Sequence, residues 1–409
     1  MKAMGPIPPG FSAGDDGSLA IGGKAVGQLV AEGGGTPLFV YDRARIAAQI
    51  ARFRAAMPSN VALHYAVKAN PYGPLLSWLT SQIDGFDLAS GGELLSLEQA
   101  GGLARPVSFA GPGKSDWELE LAIARKVTIN LESEHEAERA LAAAERLGAA
   151  PRLAIRVNPP FALKGAGMKM GGLASPFGLD CERVPALARR IVAAGAEWRG
   201  LHVYAGSQVL RAGAVAEMQA ATVAMAADIA RDSGMAIPHL NLGGGFGIPY
   251  AAGDEPLDVE QVGAALGDTL RSAPDSLAAT QFAIELGRWL VGEAGVYLTR
   301  VVDVKQSGGR TFAVTDGGLH HMLAASGNFG QTLRRNYPLA NASRFAENSS
   351  HEMTVTGCLC TPLDLLGDSV LLPETHPGDL IAVFCAGAYG KSASPAAFLG
   401  QPEARELLV

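Results

Sequence analysis

The chain has 409 residues, enough for one α/β barrel of ordinary size and a second domain. Its 33 basic and 40 acidic side chains leave a formal charge of −7, which argues against a nucleic-acid partner. No apolar run is long enough to span a bilayer, and residues 1–9 lack a charged-then-apolar signal, so a cytoplasmic protein with no membrane span is expected.

Short strand-like runs at 19–21 and 37–40 suggest that residues 1–39 join a later β domain. From residue 40 onward, eight strand-like runs alternate with Ala/Leu/Glu/Arg-rich amphipathic stretches. The runs are 61–69, 85–89, 106–110, 127–131, 152–157, 200–204, 239–242 and 281–286. Eight such units over 40–288 predict an α/β fold, a TIM-like (β/α)8 barrel, with a doubly wound sheet as the alternative. Beyond residue 288 the segments alternate without crossover helices, which predicts a mostly-β domain over 289–409.

Cysteines 181, 358, 360 and 385 are too sparse for a disulfide framework. Cys358 and Cys360 lack the second ligand pair that zinc requires, so no metal is expected.

The chemistry-bearing residues fall after strand ends. Lys68, in His-Tyr-Ala-Val-Lys-Ala-Asn, closes the first run. It is either a snorkelling strand-end lysine or an amine placed to form a Schiff base, most commonly with pyridoxal phosphate. Asp87 ends the second run, and Glu93 opens the helix after it; an acid there would steady the Lys68 ammonium. His202-Val-Tyr-Ala-Gly-Ser-Gln208 ends the sixth run, with His202 a candidate to stack on a flat ring and Ser207 a candidate phosphate ligand. Gly243-Gly-Gly-Phe-Gly247 follows the seventh run, where bare backbone and the positive end of a following helix would cradle a phosphate. Glu285 ends the eighth run and could face a protonated pyridine nitrogen, or simply pair with Arg288. Arg288 could equally fork onto a phosphate or carboxylate. The later domain adds Cys360, a candidate proton donor, and Tyr389 in Gly-Ala-Tyr-Gly.

As a set, these motifs resemble the fold-type III pyridoxal-phosphate decarboxylases, the diaminopimelate, ornithine and arginine decarboxylase family, from about residue 37 to the C-terminus. The family shares its barrel with alanine racemase. The resemblance implies that Lys68 forms the internal aldimine, His202 stacks on the ring and Glu285 protonates the pyridine nitrogen, favouring a quinonoid and decarboxylation over racemisation. It also implies that Ser207, Gly244, Gly245, Arg288 and Tyr389 hold the phosphate. The expected assembly is a homodimer with shared sites, in which Cys360 and Tyr389 act across the interface.

Thr361 stands where diamine-handling members carry an acid for the distal ammonium. A neutral hydroxyl cannot pair with a buried ammonium. The stretch Lys169-Met-Gly-Gly172, Asp316-Gly-Gly-Leu-His-His321, Arg334-Arg-Asn-Tyr-Pro338 and Cys360-Thr-Pro resemble the exosortase-associated and butirosin-type subgroup, which includes a glutamyl-carrier-protein decarboxylase. Arg334, Tyr337 and Thr361 are therefore expected to bind the substrate's distal end. That substrate is either a small amino acid without a distal ammonium or a carrier-protein-linked aminoacyl group. The alternatives are a diaminopimelate decarboxylase making L-lysine, an amino-acid racemase and an inactive regulatory homologue.

Overall fold

The computed structural model describes residues 2–161, 168–169, 174–327 and 334–409. Lys169 falls within it, but residues 170–172 of its motif lie outside the described residues. The chain divides into two compact units. One comprises residues 50–247 and 257–287; the other comprises residues 1–49, 248–256 and 288–409.

The first unit is a closed parallel barrel. Its strands are Val61–Ala66, Gly85–Leu88, Val107–Phe109, Thr128–Leu131, Arg152–Asn158, Glu197–Val203, His239–Asn241 and Gln281–Leu286. Each pairs in parallel with the next. The last pairs with the first, Glu285 opposite His64, which closes the ring. The crossover helices form where local signals agree. Ser133 accepts from the Glu136 N–H to start helix Glu134–Leu147, and Gly148, at φ 60, ends it in the left-handed conformation that glycine tolerates. Ser115 and Glu118 close a capping box on helix Asp116–Ala124.

Branched apolar side chains fill most barrels of this kind. Here Ala62, Ala154 and Ala283 share the lining with His64, Ser108, Asn130 and Asn241, and together they leave a cavity of about 330 Å³ toward the strands' N-terminal ends. Among the described residues no helix is long and apolar enough to cross a membrane.

The first strand is shorter than the expected run 61–69. It stops at Ala66, and Val67–Ala69 form a 3-10 turn, closed by Asn70 N–H donating to the Val67 carbonyl at 3.0 Å. The Tyr65 hydroxyl donates to the Asn70 carbonyl at 3.0 Å and fixes the turn from beneath. Lys68 therefore projects from a turn rather than from a pleat.

The second unit is built on a mixed sheet. Leu38–Tyr41 lies between Gly295–Ser307, antiparallel, and the C-terminal strand Arg405–Leu408, parallel. Gly295–Ser307 also pairs with Leu380–Val383 and Arg310–Thr315, and the sheet continues through His351–Thr356 to Leu365–Leu372. Leu19, Leu29, Leu38, Val40, Val296, Leu298 and Phe384 form its buried core. Each such side chain contributes about 1.5–3 kcal/mol by leaving water. The expected boundaries put residues 40–49 and 248–256 with the barrel, whereas they pack with this sheet. The physical reason is pairing: all four residues of Leu38–Tyr41 are buried, and only neighbours on both sides satisfy that strand's backbone.

Candidate active site

At the C-terminal ends of the barrel strands, Lys68 Nζ lies 4.8 Å from the centre of the Tyr204 ring. Glu285, 4% exposed, receives two hydrogen bonds at Oε2, from His202 Nε2 at 2.9 Å and Asn241 Nδ2 at 3.1 Å. The orientation of the Asn241 amide follows from its other end, where Oδ1 accepts the Gly243 N–H at 2.9 Å. Burial pushes the Glu285 carboxyl up, but the His202 charge and hydrogen bond, with the Lys68 charge, hold it well below the usual carboxylate range. Glu285 is thus an ionised acceptor inside the barrel.

Asp87 extends this polar chain. Asn241 Nδ2 lies 3.5 Å from its Oδ1, Ser108 donates to the same oxygen, and His64 Nδ1 stands 3.2 Å from Oδ2. Burial lowers the affinity of His64 for its proton, but Asp87 outweighs it and raises the imidazole above its ordinary range. Glu93 accepts the Ala89 N–H at 2.7 Å; burial raises its carboxyl, against the pull of the Lys68 charge.

The glycine turn after the seventh strand presses against neighbouring backbone. A Cβ on Gly244 would stand 1.8 Å from the Glu285 carbonyl oxygen, and one on Gly245 2.3 Å from that of Gly206. Only bare backbone fits there. The helix expected to follow does not: the next one begins at Val259, so this cradle consists of backbone amides without a helix end. Ser207 Oγ is buried beside it with no hydrogen-bond partner among the described residues.

In the other unit, Arg288 Nη1 donates to the Tyr250 hydroxyl at 2.8 Å, and its guanidinium carbon lies 4.7 Å from the Tyr389 ring centre. Burial pushes the Tyr250 phenol up to about 12 despite that arginine. Tyr389 has φ 53, a left-handed conformation costing about 1–2 kcal/mol in a non-glycine residue. Such strain persists where surrounding structure enforces it, often at functional sites. Tyr337 packs on Tyr250 with ring centres 4.8 Å apart, and Arg334 Nη2 donates to the Leu365 carbonyl at 2.6 Å. Cys360 is exposed. Asp364 pins its loop by accepting the N–H groups of Leu319 at 2.7 Å and Leu359 at 2.8 Å. Among the described residues no group of three or more His, Cys, Asp or Glu is placed to hold a metal.

Residues 43–292 match the family model for the pyridoxal binding domain of the pyridoxal-dependent decarboxylases. The chain belongs to that family. Its cofactor is pyridoxal phosphate, and its fold is the decarboxylase barrel with a β domain. The chain is 35% identical, over 91% of its length and 88% of the relative's, to an L-glutamyl-(BtrI acyl-carrier protein) decarboxylase from Niallia circulans. It is 31% identical to a diaminopimelate decarboxylase from Methanothermobacter thermautotrophicus, covering 98% of this chain and 92% of the other. Among solved structures, a diaminopimelate decarboxylase from M. jannaschi superposes with a TM-score of 0.87 at 25% identity, over 97% and 92% of the two chains.

The residues of this decarboxylase fit the cofactor. The unpartnered Ser207 Oγ and the side-chain-free turn at Gly244 and Gly245 suit a phosphate, and Glu285 suits a protonated ring nitrogen. His202 meets Glu285 through its ring edge, which leaves its face free for the expected stacking, and the ring facing Lys68 Nζ belongs to Tyr204. Asn241, Tyr250 and His64 were not singled out from the sequence. Tyr204 sits within the quoted motif, but nothing in the spacing distinguishes the ring facing the lysine from the ring facing the acid.

Proposed function

We propose that this decarboxylase acts on an amino acid that lacks a distal ammonium or is tethered to a carrier protein, a glutamyl group being the leading candidate. The observation that carries this reading is the state of the Cys360 loop. Thr361 is neutral, its Oγ1 accepting the Leu363 N–H at 3.3 Å. The one acid in that loop, Asp364, is buried, with both oxygens committed to backbone amides. The loop therefore offers no carboxylate to a substrate ammonium, and an unpaired buried ammonium is costly. The carrier-linked substrate named for the Niallia circulans relative points the same way.

Bound pyridoxal phosphate supplies an aldehyde and an electron sink. Lys68 is the amine that carries it, presented by its turn at the barrel mouth. Tyr204 covers that amine and would share the stacking on the ring with His202, whose face is free. Glu285 would hold a proton on the cofactor's ring nitrogen; His202 and Asn241 keep the carboxylate ionised and fix its direction. A fully protonated ring favours loss of carbon dioxide over racemisation. Asp87, through Asn241, buttresses this arrangement. Ser207, the amides of Gly244 and Gly245, Arg288 and Tyr389 hold the phosphate. Cys360 delivers a proton to the product carbon from a partner subunit, and Arg334 and Tyr337 receive the substrate's distal end. Exposed Leu363, Phe398 and Leu399 near these loops in sequence support a homodimer, with Cys360 and Tyr389 acting across it.

Carbon dioxide release from cofactor-loaded enzyme tests the reading. The panel is meso-diaminopimelate, lysine, ornithine, arginine, glutamate and glutamyl-carrier protein. Turnover of the carrier-linked glutamyl group with silence on the diamino acids is expected. Turnover of meso-diaminopimelate would assign the enzyme to lysine formation instead.

A further inference from the structure

The cavity of about 330 Å³ lies at the N-terminal end of the barrel, opposite the face that carries catalysis in such folds. Exposed Pro106 and Gln281, with Thr128 and His239, stand at its mouth, each at or just before the start of a strand. His64, Ser108 and Asn241 line it deeper in the barrel. These three side chains are the contacts of the Asp87 carboxylate among the described residues. His64 Nδ1 stands 3.2 Å from Oδ2, Ser108 donates to Oδ1, and Asn241 Nδ2 lies 3.5 Å from Oδ1. The same Asn241 nitrogen donates to Glu285 at 3.1 Å, so a single amide joins the cavity to that acid. A polar-lined cavity of this size admits water, and the His64 side chain keeps 17% exposure although it stands inside the barrel.

The strands are built to seat this imidazole. Gly85 lies opposite His64 in the adjacent strand, and a Cβ there would stand 2.6, 2.8 and 2.9 Å from Nε2, Cδ2 and Cε1 of the ring. Glycine is what lets the ring lie against that strand. On the other side Glu285 pairs in register with His64. Burial lowers the proton affinity of His64, but Asp87, with Glu285 and Asp84, raises it above the ordinary 6.5. His239, at the mouth, goes the other way: burial, with the Arg199 and His64 charges, lowers it to about 4. Of the two histidines on the cavity, His64 is the one that carries a proton near neutrality.

We propose that His64 is a positioning residue for the decarboxylation, holding the Asp87 carboxylate so that the Asn241 amide stays on Glu285, and that it exchanges its proton with water at the N-terminal face of the barrel. A neutral ring at position 64 leaves Asp87 without its counter-charge. Asp87 then competes with Glu285 for the Asn241 N–H groups, and the negative potential at Glu285 rises. The arrangement is held while His64 is protonated and is lost as pH rises through its folded pKa. The effect on the reaction rests on the reading that Glu285 meets the cofactor's ring nitrogen; the tie between His64 and Asp87 does not.

The test starts from the histidine nitrogen-15 resonances of the cofactor-loaded enzyme. One ring should titrate above 6.5, vanish in His64→Gln and move down in Asp87→Asn. His64→Gln should also displace the pH dependence of the cofactor's visible absorbance, and lower kcat about tenfold with KM little changed. His64→Ala probes the entrance. Added imidazole should restore its kcat, whereas pyrazole, of the same shape but a far weaker base, should not. Ala62→Leu narrows the cavity; it should leave turnover intact where His64 is present and abolish the restoration by imidazole in His64→Ala. Should His64→Ala not fold, the His64→Gln measurements decide. Restoration by both azoles makes His64 a space-filler and overturns the proposal, as does restoration by neither in a folded variant, or an absorbance titration unmoved by His64→Gln. Glu285→Gln separates the two readings. If it leaves the absorbance unmoved, the contact of Glu285 with the ring nitrogen fails; an absorbance moved by Glu285→Gln and not by His64→Gln overturns the role of His64 alone.

Discussion

The Nε2 of His202 lies 2.9 Å from the Oε2 of Glu285, and both side chains are almost fully buried in the barrel. This in-plane contact commits the imidazole edge to the carboxylate. It helps to keep Glu285 charged and leaves the imidazole face free, while the ring over Lys68 is that of Tyr204.

Separating these roles is a matter of four substitutions. His202→Phe removes one partner of a buried pair and should cost about 3–5 kcal/mol of stability, read as a loss in urea midpoint. Tyr204→Phe should retain the cofactor, whereas Tyr204→Ala should release it about tenfold more readily on dialysis, losing a stacking contact of about 1–1.5 kcal/mol. Lys68→Ala should abolish both turnover and the visible absorbance of the attached cofactor. Retention of cofactor by Tyr204→Ala together with its loss in a folded His202→Phe would assign the stacking to His202 alone.

Asn241 is the joint between Glu285 and Asp87. Asn241→Asp would set a third carboxylate against two, in a site with little water. We expect an active-site carboxyl titration displaced upward, a falling kcat at acid pH, and destabilisation of about 2 kcal/mol or more. An unchanged pH–rate profile would show that Asn241 has no hold on Glu285.

Acid should weaken the β-rich unit through His321. Its Nε2 donates to the Pro402 carbonyl at 2.8 Å and its Nδ1 lies 3.0 Å from the Tyr297 hydroxyl, a pattern that suits the neutral ring. Burial, aided by His320, lowers its pKa to about 4 from the ordinary 6.5 despite the Pro402 bond. The unfolded chain therefore binds a proton that the folded one refuses between those values. Stability is full above about 6.5 and falls as pH drops toward 4, by at most about 3 kcal/mol for this group. His321→Gln should flatten that part of the melting-temperature profile; an unaltered slope would locate the acid sensitivity elsewhere.

Shared sites have a simple signature. Lys68→Ala and Cys360→Ala should each be inactive. Mixed after subunit exchange, they should regain about a quarter of wild-type activity, because half of the dimers are hybrids with one intact site each. No recovery with exchange confirmed by mass would place Cys360 in its own subunit's site.

The barrel was legible in the sequence because burial on both faces of a parallel strand leaves long β-branched runs, and crossover helices leave a 3.6-residue rhythm between them. Lys68, Glu285, Ser207 and the glycine turn were legible for a related reason: each follows a strand end, where local spacing alone fixes the exposed face. The Leu38–Tyr41 strand was expected in the β domain and pairs there, but its partners at Gly295–Ser307 and Arg405–Leu408, more than 250 residues away, are not marked in a four-residue apolar run.

The sequence by itself determined the kind of fold, the lysine and the family of chemistry, since these rest on patterns a few residues long. The tertiary structure decided which ring faces Lys68, that Asn241 ties Glu285 to Asp87, and that the acid of the Cys360 loop turns inward to its own amides. Those outcomes depend on ångström-scale distances between segments as much as 154 residues apart, as between Asp87 and Asn241, and hydrogen bonds discriminate at that scale whereas sequence spacing does not.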